Sequence, residues 1–292
     1  MRHRMLGQTG HRVGLFSLGG ESVIKRDDPD SQDEAIKVIN EALDLGVTYI
    51  DSAPAYGNGR SEKCIGEIGR RNEFYLATKC DKRYYNTAWR QINESIERLR
   101  STPDCIQVHH LVEMWEVDRF FDKKKGAFKA FLRAKDEGLC KFLGITGHSD
   151  PTVLLESLRR YRFDTVLGAI NVADPYEYSF QNRLIPYCHK NNIGFIAMKT
   201  TARGAIFQNN GISTMKECLD YVWSIPGVST AIVGIMNMEQ LRRNVQLASE
   251  FNELSAEEMQ LLEQKVEPHI SDALYFRKHH KWKEQDLPEF VL

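Results

Sequence analysis

The chain has 292 residues, 42% of them hydrophobic, and a formal charge of −1. That length buries a large core and suits one α/β barrel or two smaller domains; the balanced charge excludes long-range attraction to nucleic acid or acidic lipid and leaves a small molecule as the expected ligand. Six scattered cysteines (Cys64, Cys80, Cys105, Cys140, Cys188, Cys218) form no C-x-x-C pair, so zinc, thioredoxin-like and iron–sulfur signatures are absent and reduced thiols are expected.

The first element in chain order is a hairpin over Met1 to Val13, expected to plug one end of the fold. No apolar run of signal-peptide length follows it, and no stretch of about 18 apolar residues occurs anywhere, which predicts a soluble, cytoplasmic protein. Short β-branched or apolar runs then alternate with helical patterns, predicting strands at Gly14 to Leu18, Val47 to Asp51, Phe74 to Thr78, Cys105 to Val108, Lys141 to Ile145, Thr165 to Ile170, Gly194 to Met198 and Thr230 to Val233. Helix starts are marked chemically between them. Ser31-Gln-Asp-Glu34 has the form of a capping box ahead of Val38, Ala42 and Leu45. Thr87 is placed to cap the helix carrying Ile92, Ile96 and Leu99. Asp150-Pro151 sets a cap before a proline at the first helical position, and Ser255-Ala-Glu-Glu258 opens a further helix after the eighth unit.

Eight strand-helix units predict a closed parallel (β/α)8 TIM barrel, one domain over residues 1–292, with an N-terminal hairpin and a C-terminal tail packing near the barrel mouth. The competing doubly wound sheet would carry G-x-G-x-x-G after its first strand, and Ser17-Leu-Gly-Gly-Glu-Ser22 does not. The tail from about Glu267 carries Tyr275, Phe276, His279, His280 and Trp282, aromatic enough to pack on something.

In such a barrel the carboxyl ends of the strands bring Asp51, Lys79 and His109 around one mouth, with Tyr56 on the loop after Asp51. An ammonium near the barrel interior is costly unless paired, and Asp51 is the natural counter-ion of Lys79. Lys79 would then lower the pKa of Tyr56 from about 10, each unit corresponding to about 1.4 kcal/mol in favour of phenolate. A phenol that gives its proton to a carbonyl oxygen while hydride reaches the carbonyl carbon is chemistry this set supports without a metal, and His109 would orient the carbonyl. Strand parity decides whether His109 or His110 points to the mouth.

The chain resembles the aldo-keto reductase family. The resemblance is carried by Leu6-Gly-x-Thr-Gly10, by Gly46-Val-x-x-x-Asp51-Ser-Ala-x-x-Tyr56-Gly57 with Ser61-Glu62, by Thr78-Lys79 and by Asp104-Cys-Ile-Gln-Val-His109. Gly144-Ile-Thr-Gly-His148, Ala197-Met-Lys199 with Gly204, and Val233-Gly234 with Gln240-Leu241 and Asn244 extend it over nearly the whole chain. It implies a (β/α)8 barrel, carbonyl reduction by NADP(H) rather than NAD(H), no metal, no iron–sulfur cluster, and a tetrad of Asp51, Tyr56, Lys79 and His109, with His109 preferred over His110 by its distance from Asp104. It further implies cofactor contacts from Gly20, Thr146, His148, Asn171, Met198, Lys199, Arg203, Gly234, Asn237, Gln240 and Asn244, the segment from Gly234 to Asn244 gripping the adenosine phosphate at a helix start.

The chain also departs from the family pattern. Thr146-Gly147 stands where many members have Ser-Asn, so His148 is read as replacing a lost contact; Met198 stands where many place a tyrosine against the nicotinamide ring. Gly234 and Gln240 replace the Lys and Arg often used for a 2′-phosphate, leaving Arg203, Arg242 or Arg243 to supply that charge. Tyr84, Tyr85, Trp89, Met114, Trp115 and the tail aromatics are the expected substrate lining, consistent with an apolar or aromatic aldehyde. A small-molecule carbonyl substrate and a monomer or weak homo-oligomer are expected. The alternatives are a cofactor-binding redox sensor with little turnover and a Schiff-base aldolase using Lys79.

Overall fold

The computed structural model describes residues 1–21 and 31–277. Two short strands, β1 (His3–Met5) and β2 (Arg12–Gly14), pair antiparallel as a hairpin. Eight more, β3 (Phe16–Gly19), β4 (Tyr49–Asp51), β5 (Tyr75–Cys80), β6 (Cys105–Val108), β7 (Phe142–Gly147), β8 (Thr165–Ala169), β9 (Gly194–Met198) and β10 (Val228–Gly234), pair in parallel in chain order, and β10 returns to β3 to close the barrel. The helices that follow these strands are α1 (Ser31–Asp44), α2 (Arg60–Glu67), α3 (Tyr85–Leu99), α4 (Met114–Phe120) with α5 (Phe128–Asp136), α6 (Pro151–Arg160), α7 (Phe180–Lys190), α8 (Met215–Ser224) and α9 (Met238–Ser249). Two more, α10 (Ala256–Val266) and α11 (Ile270–Ala273), lead into the tail. No helix among the described residues is long and apolar enough to cross a membrane.

All eight predicted barrel strands are present. Gly14 belongs to the hairpin instead of β3, and β5 and β7 run two residues further than predicted, so Lys79 lies within its strand. An ammonium is tolerated there because its side chain points inward to a buried carboxylate. The caps at Asp150 and Ser255 form as read: Asp150 accepts from the Thr152 amide at 2.8 Å, and Ser255 and Glu258 cap each other reciprocally. The Thr87 cap does not form. The cap position falls three residues earlier, at Tyr84, and the Thr87 hydroxyl donates to the Tyr84 carbonyl inside the first turn. The Ser31 side chain, His279, His280 and Trp282 lie outside the described residues.

Strand parity divides the barrel residues between two cores. Outward side chains such as Ile50, Leu76, Ile106 and Val108 pack beneath the helices. Inward ones form a smaller cluster of Tyr49, Tyr75, Ala77, Cys105, Leu167 and Ile196, closed from below by Leu6 and Val13 of the hairpin. The hairpin is fastened by Arg4, which donates to the carbonyls of Val228 and Trp223 at 2.8 and 2.7 Å. Gly7 is required beside it, since its φ is +53° and a Cβ would lie 2.2 Å from the Gly194 nitrogen. All six cysteines are free and buried. The tail returns to the opposite end. Arg277, fully buried, pairs with buried Asp174 and donates to the carbonyls of His148 at 2.9 Å and Ala169 at 3.1 Å.

Candidate active site

Parity continues upward from the inner core to the mouth. Tyr49 and Asp51 on β4, Tyr75, Ala77 and Lys79 on β5, and Cys105, Gln107 and His109 on and after β6 occupy alternate positions, so each strand that lays an aromatic or small residue on the floor lifts a polar one to the rim. The Lys79 ammonium is ion-paired to Asp51 and donates to the Ser52 carbonyl at 2.8 Å and the Tyr56 hydroxyl at 3.0 Å. Its three protons therefore have three acceptors. The second oxygen of Asp51 accepts from Gln107 Nε2 at 3.0 Å. Room for Gln107 comes from Gly144 across the β6–β7 pair, where a Cβ would meet Gln107 Cγ at 3.0 Å and Thr165 Oγ1 at 2.5 Å.

Tyr56 returns over Lys79 because Gly57, Asn58 and Gly59 all adopt left-handed φ values of 57°, 52° and 85°. The loop is anchored on both sides. Ser52 and Ser61 hydroxyls bond at 2.8 Å, while buried Glu62 accepts from Thr78 at 2.6 Å and from Arg98 at 2.7 Å, tying α2 to the residue before Lys79. Gly20 packs against the same turn: its amide donates to the Asp51 carbonyl at 2.7 Å, and a Cβ would lie 2.5 Å from Ser61 Oγ.

The electrostatics follow from burial. Desolvation works to lower Lys79, but Asp51 and Tyr56 outweigh it, so its pKa ends above the ordinary value and the ammonium stays charged. Burial raises Asp51, opposed by Lys79. Tyr56 is pushed up to about 12, by burial first, with Lys79 pulling the other way. The expectation that Lys79 would leave Tyr56 more acidic than a free phenol is thus corrected: its influence has the expected sign, and desolvation exceeds it. His109, whose ring meets Tyr56 edge-on with centroids 6.2 Å apart, is held well below the usual imidazole range by burial and by Lys79, and is neutral.

The stretch after β6 is pinned from two sides. Arg83 donates to the His109 and His110 carbonyls at 2.7 and 3.1 Å and pairs with Glu116 at 2.9 Å. The Thr146 hydroxyl accepts from the His110 amide at 2.7 Å, which leaves its own proton free to donate. Asn171 is engaged structurally, accepting from the Ala173 amide and donating to the Ala273 carbonyl, both at 2.9 Å. Met198 is part-buried above the inner core. Lys199, at φ +56°, is drawn out of water with no hydrogen-bond partner among the described residues; burial lowers it to about 8. Arg203 pairs with Glu21 at 2.8 Å. At the start of α9, Asn237 caps the Gln240 amide and Gln240 accepts from the Met236 amide, both at 2.9 Å, while Gly234 ends β10 and Asn244 is buried a turn later. Arg242 is turned to Glu41 of α1; Arg243 is exposed.

Part of the expected substrate lining is engaged by arginines. Tyr85 and Trp89 clasp Arg133 of α5, whose guanidinium lies 3.9 Å from the Trp89 ring centroid. Tyr84 is taken by Arg119 at 2.5 Å, and Met114 and Trp115 are exposed. The tail aromatics do approach: Phe276 is buried, with Lys199 5.5 Å above its ring centroid. Gln107, Arg83, Arg277 and Asp174 escaped the sequence reading. Gln107 alone carried a local signal, being two positions before His109 on the same inward parity.

The family model for the Aldo/keto reductase family matches residues 13–211. Over 304 aligned residues the chain is 25% identical to "L-galactose dehydrogenase" of Arabidopsis thaliana, covering 89% of this chain and 92% of that protein. It is 28% identical over 212 residues to a Schizosaccharomyces pombe protein named "Aldo-keto reductase yakc [NADP(+)]", covering 66% of this chain and 57% of the other. The holo form of an aldo-keto reductase from Bacillus halodurans superimposes with a TM-score of 0.75 at 22% identity, covering 97% of this chain and all of that one, a likeness that speaks to the fold. With the matched segment spanning most of the barrel, the chain belongs to the aldo/keto reductase family of oxidoreductases.

Proposed function

We propose that the protein reduces an aldehyde or ketone to an alcohol at the mouth built by Tyr56, Lys79, Asp51 and His109. The single observation that carries this reading is the Lys79 ammonium shared between Asp51 and the Tyr56 hydroxyl at 3.0 Å, with the phenol beside a neutral imidazole. A bound reduced nicotinamide would supply the hydride equivalent to the carbonyl carbon. Tyr56, protonated across the working pH range, gives its proton to the carbonyl oxygen, and Lys79 stabilises the phenolate left behind until solvent returns the proton. His109 donates from a ring nitrogen to orient the carbonyl.

The donor set fits a dinucleotide. Lys199 is a desolvated cation without a hydrogen-bond partner among the described residues, a natural match for a phosphate, and Thr146 retains a hydroxyl proton for a carboxamide oxygen. Gly20, His148, Asn171, Met198, Arg203, Gly234, Asn237, Gln240 and Asn244 complete the proposed contacts. We infer NADP(H) as the partner, with Arg243 as the cation without an ion-pair partner among the described residues nearest the start of α9 and a relative whose name carries NADP(+). A Schiff-base role for Lys79 is disfavoured, because Asp51 holds it charged and its protons are all engaged.

Fluorescence titration with NADPH and NADH, followed by carbonyl-dependent cofactor oxidation, tests the reading. Saturable binding and turnover are expected, with Tyr56→Phe retaining binding and losing roughly 100-fold or more in kcat. Binding without turnover across a wide carbonyl panel would instead identify a redox sensor, and no binding of either dinucleotide would remove both.

A further inference from the structure

Asp51 is gripped from two adjacent strands. Lys79 on β5 and Gln107 on β6 are register partners whose side chains both point inward, and they divide the carboxylate between them: the ammonium pairs with one oxygen, and Gln107 Nε2 donates to the other at 3.0 Å. No other side chain among the described residues bonds that carboxylate. Asp51 and Gln107 are both fully buried.

Packing alone does not call for glutamine at this position. A carboxylate only accepts, so the amide must turn its nitrogen to Asp51 and its oxygen away, and that Oε1 atom is buried with no hydrogen-bond partner among the described residues. An orphaned buried acceptor is destabilising. The next strand gives way as well: Gly144 is the register partner of Gln107 on β7, and a Cβ there would lie 3.0 Å from Gln107 Cγ and 2.5 Å from Thr165 Oγ1. The fold thus keeps a donor on Asp51 while leaving an oxygen unpaired and a neighbour without a side chain.

The donor acts on the carboxylate in two ways. It fixes the rotation that turns one oxygen to Lys79, and it favours the ionised form against burial, which raises Asp51. The titratable groups around the pair are Lys79 and Tyr75 from β5, Tyr49 from β4, Cys105 from β6, and Tyr56, His109 and Glu21 from the loops. Burial raises Tyr49, Tyr75 and Cys105, Tyr56 stands at about 12, Lys79 is held charged and His109 neutral, while Glu21 is ion-paired to Arg203. Loss of the donor therefore falls on Asp51 itself.

We propose that Gln107 is a positioning residue of the reductase site: by holding one oxygen of Asp51 it aims the other at Lys79, and so sets the ammonium that serves Tyr56. This rests on the reductase reading and deepens it.

The test follows NADPH-dependent carbonyl reduction from about pH 5 to about pH 9.5 in the parent, in Gln107→Met and in Gln107→Glu. Methionine fills similar space without a donor. Its kcat is expected to fall about tenfold to 100-fold while NADPH affinity stays within about twofold, and the acid limb of the profile should move to higher pH, because Asp51 is more readily protonated. Glutamic acid keeps the shape and donates only while protonated. Gln107→Glu should therefore recover most of the parent's kcat on the acid side and lose it as the introduced carboxyl ionises against Asp51, a limb the parent lacks. Circular dichroism and a denaturation midpoint check that each variant is folded. A kcat within about twofold of the parent and an unmoved acid limb in Gln107→Met overturn the positioning role while leaving the reductase intact. So does a loss in Gln107→Glu that is the same at every pH, which is what packing alone would give; that variant decides the matter where Gln107→Met does not fold. A parent that turns over no carbonyl removes the reductase reading and the positioning role with it.

Discussion

Lys79, buried, and Lys199, half-buried, have opposite surroundings, and their protons should answer to pH in opposite ways. Lys79 is held charged by Asp51, and its pull on Tyr56 works against the larger effect of burial. Lys79→Met removes that pull, so Tyr56 should rise beyond about 12, activity should drop roughly 100-fold or more, and the alkaline limb of kcat/KM should move to higher pH in the remainder. A limb that stays put would contradict the coupling. Lys199 is lowered to about 8 from 10.5 by burial. Between those values the unfolded chain binds the proton and the folded chain does not, so the stability penalty is fully present below pH 8 and relaxes as pH rises through that window. An anionic cofactor needs the charged form. Dinucleotide affinity should therefore weaken above pH 8, by up to about tenfold per unit, and the dependence should vanish in Lys199→Met. Isothermal titration at pH 7 to 9.5 decides it.

At the scale of elements, the mouth is a set of loops fixed by long-range polar ties. Arg277 and Asp174 are 103 positions apart, both buried, and join the tail to the loops after β7 and β8. Arg277→Ala leaves Asp174 buried without its cation, a change expected to cost about 3–5 kcal/mol. Hydrogen exchange should show the loss first in α11 and around Asn171, whose amide holds the Ala273 carbonyl; unchanged protection there would show that the tail is held by apolar packing alone. Such a tie has no sequence period, which is why neither partner stood out. The caps at Asp150 and Ser255 were legible because both partners lie within one turn. Thr87 misled for the same local reason: it resembles a cap, but the Tyr85 amide bonds the Lys125 carbonyl and draws the helix start three residues earlier.

For the molecule as a whole, the barrel was legible because alternation along short strands does two jobs at once. The same period that buries Tyr49, Tyr75 and Cys105 on the floor delivers Asp51, Lys79 and His109 to the rim, so finding the strands located the tetrad. Net pKa values were not legible, since they depend on how deeply the closed mouth excludes water. The floor is set by the hairpin, where Leu6 is fully buried. Leu6→Ala should cost about 2–5 kcal/mol, visible as a lower denaturation midpoint, with the tetrad at the far end keeping its pH profile.

The burial of all six cysteines has a practical side. Burial pushes the thiols of Cys80, Cys140, Cys188 and Cys218 up to about 12, so maleimide and disulfide reagents find neither access nor thiolate on the folded chain. A single cysteine placed at exposed Trp115, as Trp115→Cys, would take one fluorophore on an otherwise silent background. The native sequence thus accepts a single optical label without prior removal of cysteines.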